Sequence, residues 1–579
     1  MVNTMNWKMS NQSRNTTTRK KSLSYAHTGS EKELLWMTIG DVIKETAEQY
    51  PGNDALVAVW LDQRYTYKEF YHLCCETAKG FIKLGITKGD RVAIWATNCP
   101  EWVVTQVATA MIGAILIPIN PAFREHELEY TLQDSESQTL ILTEKFKTSD
   151  YLTMFYNVCP EAKVSTPGDI QSEKLPYLKN VIVLNEQGHA GMITWKDLLD
   201  KDKTISDAEL KEREALLDPD DIINIQYTSG TTGFPKGASL THFNIVNNAY
   251  FVGENMRFTF KDRLCIPVPF YHCFGMVLSN MVCLVYGAAM VLPAEYFSPV
   301  ETLKAVETER CTALHGVPTM FITELDHPEF SHFDLSSLRT GIMAGAPCPI
   351  EIMKKVINSM GASEITIAYG LTEASPVTNQ THIDDSLKQR VETVGPPLQH
   401  TEVKVVDAET GRVQPVGKLG ELCCRGFQVM REYHNKPEET AETIDEGHWL
   451  HTGDLAIMDQ NGYCRIVSRI KDMIIRGGEN IYPREIEEFL LTHPQVEDVY
   501  VVGVPDKKYG EEIAAWIKLK EDAVVTPEEI REYCKGKISH QKIPRYIKFV
   551  DSFPMTVTGK IKKFKIRELA AEELGLDGK

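Results

Sequence analysis

At 579 residues the chain exceeds what one hydrophobic core usually serves, since single cores stop growing at roughly 250–300 residues, so at least two domains are expected. With 43% hydrophobic and 25% charged residues, the composition is that of a globular protein and excludes a wholly disordered chain. A net charge of −18 argues against a general binder of nucleic acid or anionic membranes, which needs a basic footprint.

Positive charge is nevertheless concentrated locally. Residues 535–567 hold ten Lys or Arg, with Asp551 as the only acid, which leaves room for a small anionic ligand. The 13 cysteines form no C-x-x-C, and Cys74–Cys75 and Cys423–Cys424 are adjacent pairs. That usage fits free thiols in a reducing compartment.

In chain order, the first thirty residues are polar, contain no acid and lead into no apolar signal core, so a polar, disordered tail is expected over 1–35. A cytoplasmic location follows, with the mitochondrial matrix as the alternative if the tail is a targeting segment. The pattern then predicts a helix over 38–50, a strand over 55–60, a helix over 67–84 and a strand over 91–96. Residues 102–119 are the most apolar run. Gln106 and the Thr, Gly and Pro interruptions make them a buried helix running into a buried strand, so no integral membrane association is expected. A strand follows at 139–143, and 160–220 reads as connection. Strands resume at 221–226 and 364–367. Strands alternating with helices imply an α/β fold with largely parallel sheet. From about 470 the pattern changes to a compact α+β unit: helices at 484–492 and 527–538, strands at 497–504, 513–519 and 545–551. The domain boundary is placed at Arg469–Asp472.

The most specific signal is Tyr227-Thr-Ser-Gly-Thr-Thr-Gly-Phe-Pro-Lys-Gly237, after the strand-like Asp221–Gln226. Glycines let backbone N–H groups approach an anion, and hydroxyls add donors, as a triphosphate requires. It is not a Walker A loop, because Pro235 precedes the lysine and Gly237 follows where Ser or Thr is needed. This run resembles the phosphate loop of the adenylate-forming superfamily of acyl-CoA synthetases, luciferases and peptide-synthetase adenylation domains. The resemblance spans about 36–570 and lies nearest to medium-chain acyl-CoA synthetases.

The resemblance implies a large N-terminal domain (36–470) of stacked α/β sheets with a smaller distorted barrel, and a small mobile α+β C-terminal domain (471–579). ATP would be held by Thr228, Ser229, Gly230, Thr231, Thr232, Gly233, Phe234, Pro235 and Lys236, with Thr228 also in the catalytic set. In Ala368-Tyr-Gly-Leu-Thr-Glu373, Glu373 would hold Mg²⁺, which suits hard oxygen ligands. Thr372 would contact phosphate, Tyr369 would lie near the adenine, and Gly370 would border the nucleotide and the acyl pocket. Gly345, Ala346 and Pro347 would line the adenine, with Gly345 also facing the acyl group. Asp454, in His451-Thr-Gly-Asp454, would accept both ribose hydroxyls, assisted by Arg469. Lys471 corresponds to the hinge, and Gly477, Gly478 and Glu479 to the face that meets coenzyme A. Lys560, in Pro554-Met-Thr-Val-Thr-Gly-Lys560, matches the catalytic lysine that bridges carboxylate and α-phosphate.

On the substrate side, the resemblance implies that Pro267-Val-Pro-Phe-Tyr-His272-Cys-Phe-Gly275 puts His272 and Phe274 in the acyl pocket, with His272 catalytic. Residues 267–276 hold no carboxylate for an amino-acid ammonium group, which disfavours peptide-synthetase chemistry. Gly370 stands where acetate-activating relatives carry tryptophan, so a longer acid is expected. A medium-chain fatty acid is the first choice; branched, cyclic or aromatic acids fit the same features. The expected partners are thus a small carboxylic acid, ATP and coenzyme A, without nucleic acid; a homodimer is the expected assembly if the chain self-associates.

Overall fold

Side-chain alternation along the strand Arg91–Trp95 sends Val92 and Ile94 into one core and Ala93 and Trp95 into another, and all four are fully buried. A strand apolar on both faces belongs inside a helix-covered parallel sheet. The computed structural model, which describes residues 22–200, 204–228, 235–346, 348–477, 479–555 and 561–576, places it there. The eight-stranded sheet runs Ile193–Thr194, Asn180–Val183, Thr139–Leu142, Arg91–Trp95, Ile115–Pro118, Ile222–Thr228, Lys236–Thr241, Glu432–Tyr433. The first six strands are parallel, and the last two pairings are antiparallel.

A second eight-stranded sheet runs Val377–Gln380, Glu364–Gly370, Thr340–Ala344, Ala313–Gly316, Arg263–Cys265, Ala289–Leu292, Asp54–Ala58, Gln63–Thr66, antiparallel only at its two edges. Helices lie between the sheets. Val103, Val107 and Met111 of Pro100–Met111 and Ile245 and Val252 of His242–Asn255 share one core with Val92 and Ile94 of the first sheet and Leu264 and Met290 of the second. Each such side chain contributes about 1.5–3 kcal/mol by leaving water. The apolar run at 102–119 is therefore the inner helix and the strand Ile115–Pro118. No described helix is long and apolar enough to cross a membrane.

Two expectations are corrected. Residues 160–220 are not mere connection: Asn180–Val183 and Ile193–Thr194 extend the first sheet, each too short for a periodic signal yet buried throughout. The tail expected over 1–35 contributes the strand Tyr25–Thr28, which pairs antiparallel with Thr401–Val406 and buries Ala26. Residues 1–21 lie outside the described part.

The portion expected as a small distorted barrel is a five-stranded antiparallel sheet: Tyr25–Thr28, Thr401–Val406, Leu419–Gly426, Leu450–Met458, Cys464–Arg469. The turn Ile470–Asp472 leads from its last strand to the C-terminal sheet. There Val496–Asp506 and Gly510–Leu519 form the central antiparallel pair, with Tyr546–Phe549 alongside. Alternation again separates two cores. Val499, Val501, Ile513 and Ile517 face helix Pro483–Leu490, while Val502, Val504 and Trp516 face helix Lys563–Glu573.

Candidate active site

Three loops leave the C-terminal ends of strands, where α/β sheets present their binding residues. Thr228 ends Ile222–Thr228; Ser229 to Phe234 follow it outside the described residues, and Pro235 and Lys236 return the chain as the next strand. Thr228 pairs with Lys236 across this hairpin. In the other sheet Ala344 pairs with Ala368, so Gly345–Ala346 and Tyr369–Glu373 emerge side by side. Gly345 has φ +85°, a conformation that suits glycine. Pro347 lies outside the described residues.

Glu373 sits in the single turn Thr372–Ala374, beside Thr372, and is fixed from two directions. Its backbone carbonyl accepts the Met430 N–H at 2.8 Å. Its Oε1 accepts the Tyr433 hydroxyl at 2.6 Å. Tyr433 is itself placed by pairing with Ala238 in the strand that begins at Lys236, and the Lys236 ammonium lies 5.2 Å from its ring centroid. Burial, with Glu373 alongside, pushes the phenol of Tyr433 up, so it remains a hydrogen-bond donor. Lys236 and the Glu373 carboxylate thus meet at Tyr433. Sequence reasoning missed this residue, because a long-range strand pairing delivers it and no local motif marks it. One oriented carboxylate in the neighbourhood of Lys236 fits Mg²⁺, which is usually held by one or two carboxylates together with substrate phosphates.

Asp454 and Arg469 are cross-strand partners, and Arg469 Nε stands 3.3 Å from Asp454 Oδ1. The other oxygen, Oδ2, accepts the Tyr369 hydroxyl at 2.6 Å. Tyr369 therefore joins the strand Glu364–Gly370 to the Asp454 carboxylate. Burial pushes the Asp454 carboxyl above its ordinary range, and Arg469 opposes that rise. Gly453, at φ +70°, lies within the strand Leu450–Met458, at the register irregularity that presents Asp454.

His272 caps the short helix Cys273–Gly275: its Nδ1 accepts the Phe274 N–H at 3.1 Å. Phe274 is buried, and its ring centroid lies 5.6 Å from that of His315 in a tilted contact. Directly after it, Met276–Met281 forms a π-helical segment, a feature frequent at functional sites.

Gly370 requires a correction. A Cβ there would stand 1.7 Å from the Pro376 carbonyl oxygen, and one at Gly275 would stand 2.3 Å from that of Pro269. At Gly370 backbone fills the space expected to be open; both glycines serve close chain packing, and Gly370 carries no argument about acyl length.

In the C-terminal unit, Lys471 lies in the turn Ile470–Asp472. Gly477, at φ +61°, opens the two-residue connection between Ile474–Arg476 and Glu479–Ile481, where Arg476 pairs with Glu479. Such hairpins need positive φ. Gly478 and Lys560 lie outside the described residues. Next to Gly477, a cleft of about 560 Å³ is lined by Arg476, Arg531, Lys535, His540 and Arg545 among others, placing part of the basic 535–567 stretch there.

The AMP-binding enzyme family matches residues 43–434, and the AMP-binding enzyme C-terminal domain matches 485–560. YngI of Bacillus subtilis, a candidate acyl-CoA synthetase, is 54% identical over 94% of this chain and 99% of its own length. A mitochondrial medium-chain acyl-CoA ligase of Danio rerio is 46% identical over 96% of this chain and 91% of its own. The crystal structure of an anthranilate CoA ligase in complex with anthranoyl-AMP superposes with a TM-score of 0.81 at 25% identity, covering 94% of this chain and 99% of that one. The chain belongs to the AMP-binding enzyme family, within the acyl-CoA synthetase superfamily.

Proposed function

We propose that the protein joins a medium-chain carboxylic acid to coenzyme A, using ATP and releasing AMP and pyrophosphate through an acyl-adenylate. For the medium-chain substrate, the carrying observation is the 46% identity, over 96% of this chain, to a relative named as a medium-chain acyl-CoA ligase. For the chemistry, it is the packing of Lys236 and Glu373 against Tyr433, with Asp454 bonded to Tyr369 on the strand that leads to Glu373.

In the first half-reaction the acid's carboxylate attacks the α-phosphorus of ATP and pyrophosphate leaves. Asp454 holds the ribose hydroxyls, assisted by Arg469, and Tyr369 keeps the carboxylate aimed. Thr228 and its loop bind the phosphates, with Thr372 and Lys236 beside them. Lys560 bridges the attacking oxygen and the α-phosphate, where charge accumulates. Mg²⁺, held by Glu373 when bound, would neutralise charge on the phosphates. In the second half-reaction the C-terminal domain turns about Lys471. Lys560 withdraws and the loop of Gly477, Gly478 and Glu479 faces the pantetheine arm. The coenzyme A thiol then attacks the acyl carbon and AMP departs. The cationic cleft beside Gly477 would suit the anionic end of coenzyme A. His272 borders the acyl group. The free cysteines fit a reducing compartment such as the cytoplasm.

The two-conformation account is tested with Lys560→Ala. Acyl-adenylate formation should fall at least a hundredfold, while thioester formation from supplied acyl-adenylate should change little. Equal loss in both steps would refute it.

A further inference from the structure

On the strand Leu419–Gly426, Glu421 and Cys423 are two residues apart and share one face. Cys423 pairs across the sheet with His451, and the register slips between Glu421 and Cys423, opposite Thr452–Asp454. The slip brings three different donors together: Glu421, Cys423 and His451 each offer a ligand atom, all within 4.8 Å of one another. His451 Nδ1 stands 2.9 Å from Glu421 Oε2 and 3.5 Å from Cys423 Sγ. Ligands sharing one tetrahedral ion are roughly 3.3–3.8 Å apart, given metal bonds of about 2.0–2.3 Å. These separations therefore need only small shifts. Among the described residues no other trio of such donors lies this close.

The surroundings fit a metal as well. Asp445 Oδ2 lies 3.6 Å from the other ring nitrogen of His451, the position from which a carboxylate orients a metal-ligating imidazole. Glu421 Oε1 accepts the Gly453 N–H at 3.0 Å, so the same carboxylate holds the strand irregularity carrying Asp454. Cys423 is buried, whereas the His451 side chain is 32% exposed, which gives an ion a way in.

We propose that Glu421, Cys423 and His451 form a site for a zinc-class divalent cation, separate from the magnesium position proposed at Glu373, that fixes the strand irregularity presenting Asp454. A thiolate–imidazole–carboxylate set selects a borderline-soft ion over magnesium. On binding, the thiol proton and the proton shared by His451 and Glu421 pass to solvent, and water completes the coordination.

The test titrates the full-length, metal-stripped protein with cobalt(II) alone, then displaces it with zinc. One equivalent should give a thiolate-to-cobalt absorption band that zinc abolishes and that Cys423→Ser lacks. Zinc should raise the thermal midpoint of the native protein and not that of Cys423→Ser. Asp445→Asn, which leaves all three ligands, should weaken zinc binding roughly tenfold or more. Absence of the band, or a band of full strength in Cys423→Ser, would overturn the proposal. If Cys423→Ser does not fold by circular dichroism, His451→Asn and Asp445→Asn decide: zinc affinity unchanged in both overturns it equally.

Discussion

The Tyr433 hydroxyl donates to Glu373 Oε1 at 2.6 Å across 60 residues of sequence, and the same tyrosine ring lies 5.2 Å from the Lys236 ammonium. Tyr433→Phe keeps the ring under Lys236 and removes only the donor to the carboxylate. Hydrogen bonds to charged groups contribute about 1.5–3 kcal/mol, so the Mg²⁺ concentration for half-maximal rate should rise roughly tenfold or more. Steady-state kinetics against Mg²⁺ at saturating acid check this. An unchanged requirement would mean that Tyr433 does not aim Glu373.

Asp454 must be ionised to accept two ribose hydroxyls. Burial raises its carboxyl, so ATP affinity should fall with decreasing pH sooner than an exposed aspartate would require. Arg469 opposes that rise, and Arg469→Gln should move the acid limb of kcat/KM for ATP to still higher pH. Asp454→Asn should raise the KM for ATP by roughly tenfold to a hundredfold. An acid limb unmoved by Arg469→Gln would separate Asp454 from nucleotide binding.

His242 is fully buried at the start of the helix His242–Asn255, and its Nδ1 accepts the Ile39 N–H at 3.1 Å. Burial pushes its pKa down to about 4. Below the unfolded value of about 6.5 the unfolded chain binds a proton that the folded chain refuses, so stability falls as pH drops from 6.5 towards 4. From pH 7 to pH 5 this group alone should cost about 2 kcal/mol. His242→Asn keeps an acceptor near Nδ1 and cannot titrate, so its denaturation midpoint should depend less on pH over that range. Identical slopes in both proteins would contradict the assignment.

Local chemistry made much of the site legible. The 227–237 run reads as a phosphate loop because its glycines and hydroxyls cluster, and the Thr-Gly-Asp run carries the carboxylate that the structure sets against Arg469 and Tyr369. Tyr433, Glu421 and the strand Tyr25–Thr28 were not legible, since strand pairing across the chain gives each its place. Asn180–Val183 escaped notice because four buried residues cannot show a period. Gly370 was legible as a position but not as a cause: only the neighbouring Pro376 carbonyl shows why a side chain is excluded.

The central claim is tested most directly by pyrophosphate release and acyl-CoA formation with ATP, Mg²⁺ and coenzyme A across a panel of acids. The panel runs from acetate to palmitate and adds benzoate, a branched acid and several amino acids. The account predicts a maximum at medium chain length, with one acyl-CoA formed per pyrophosphate. Adenylation without thioester formation, or a preference for an amino acid, would contradict it.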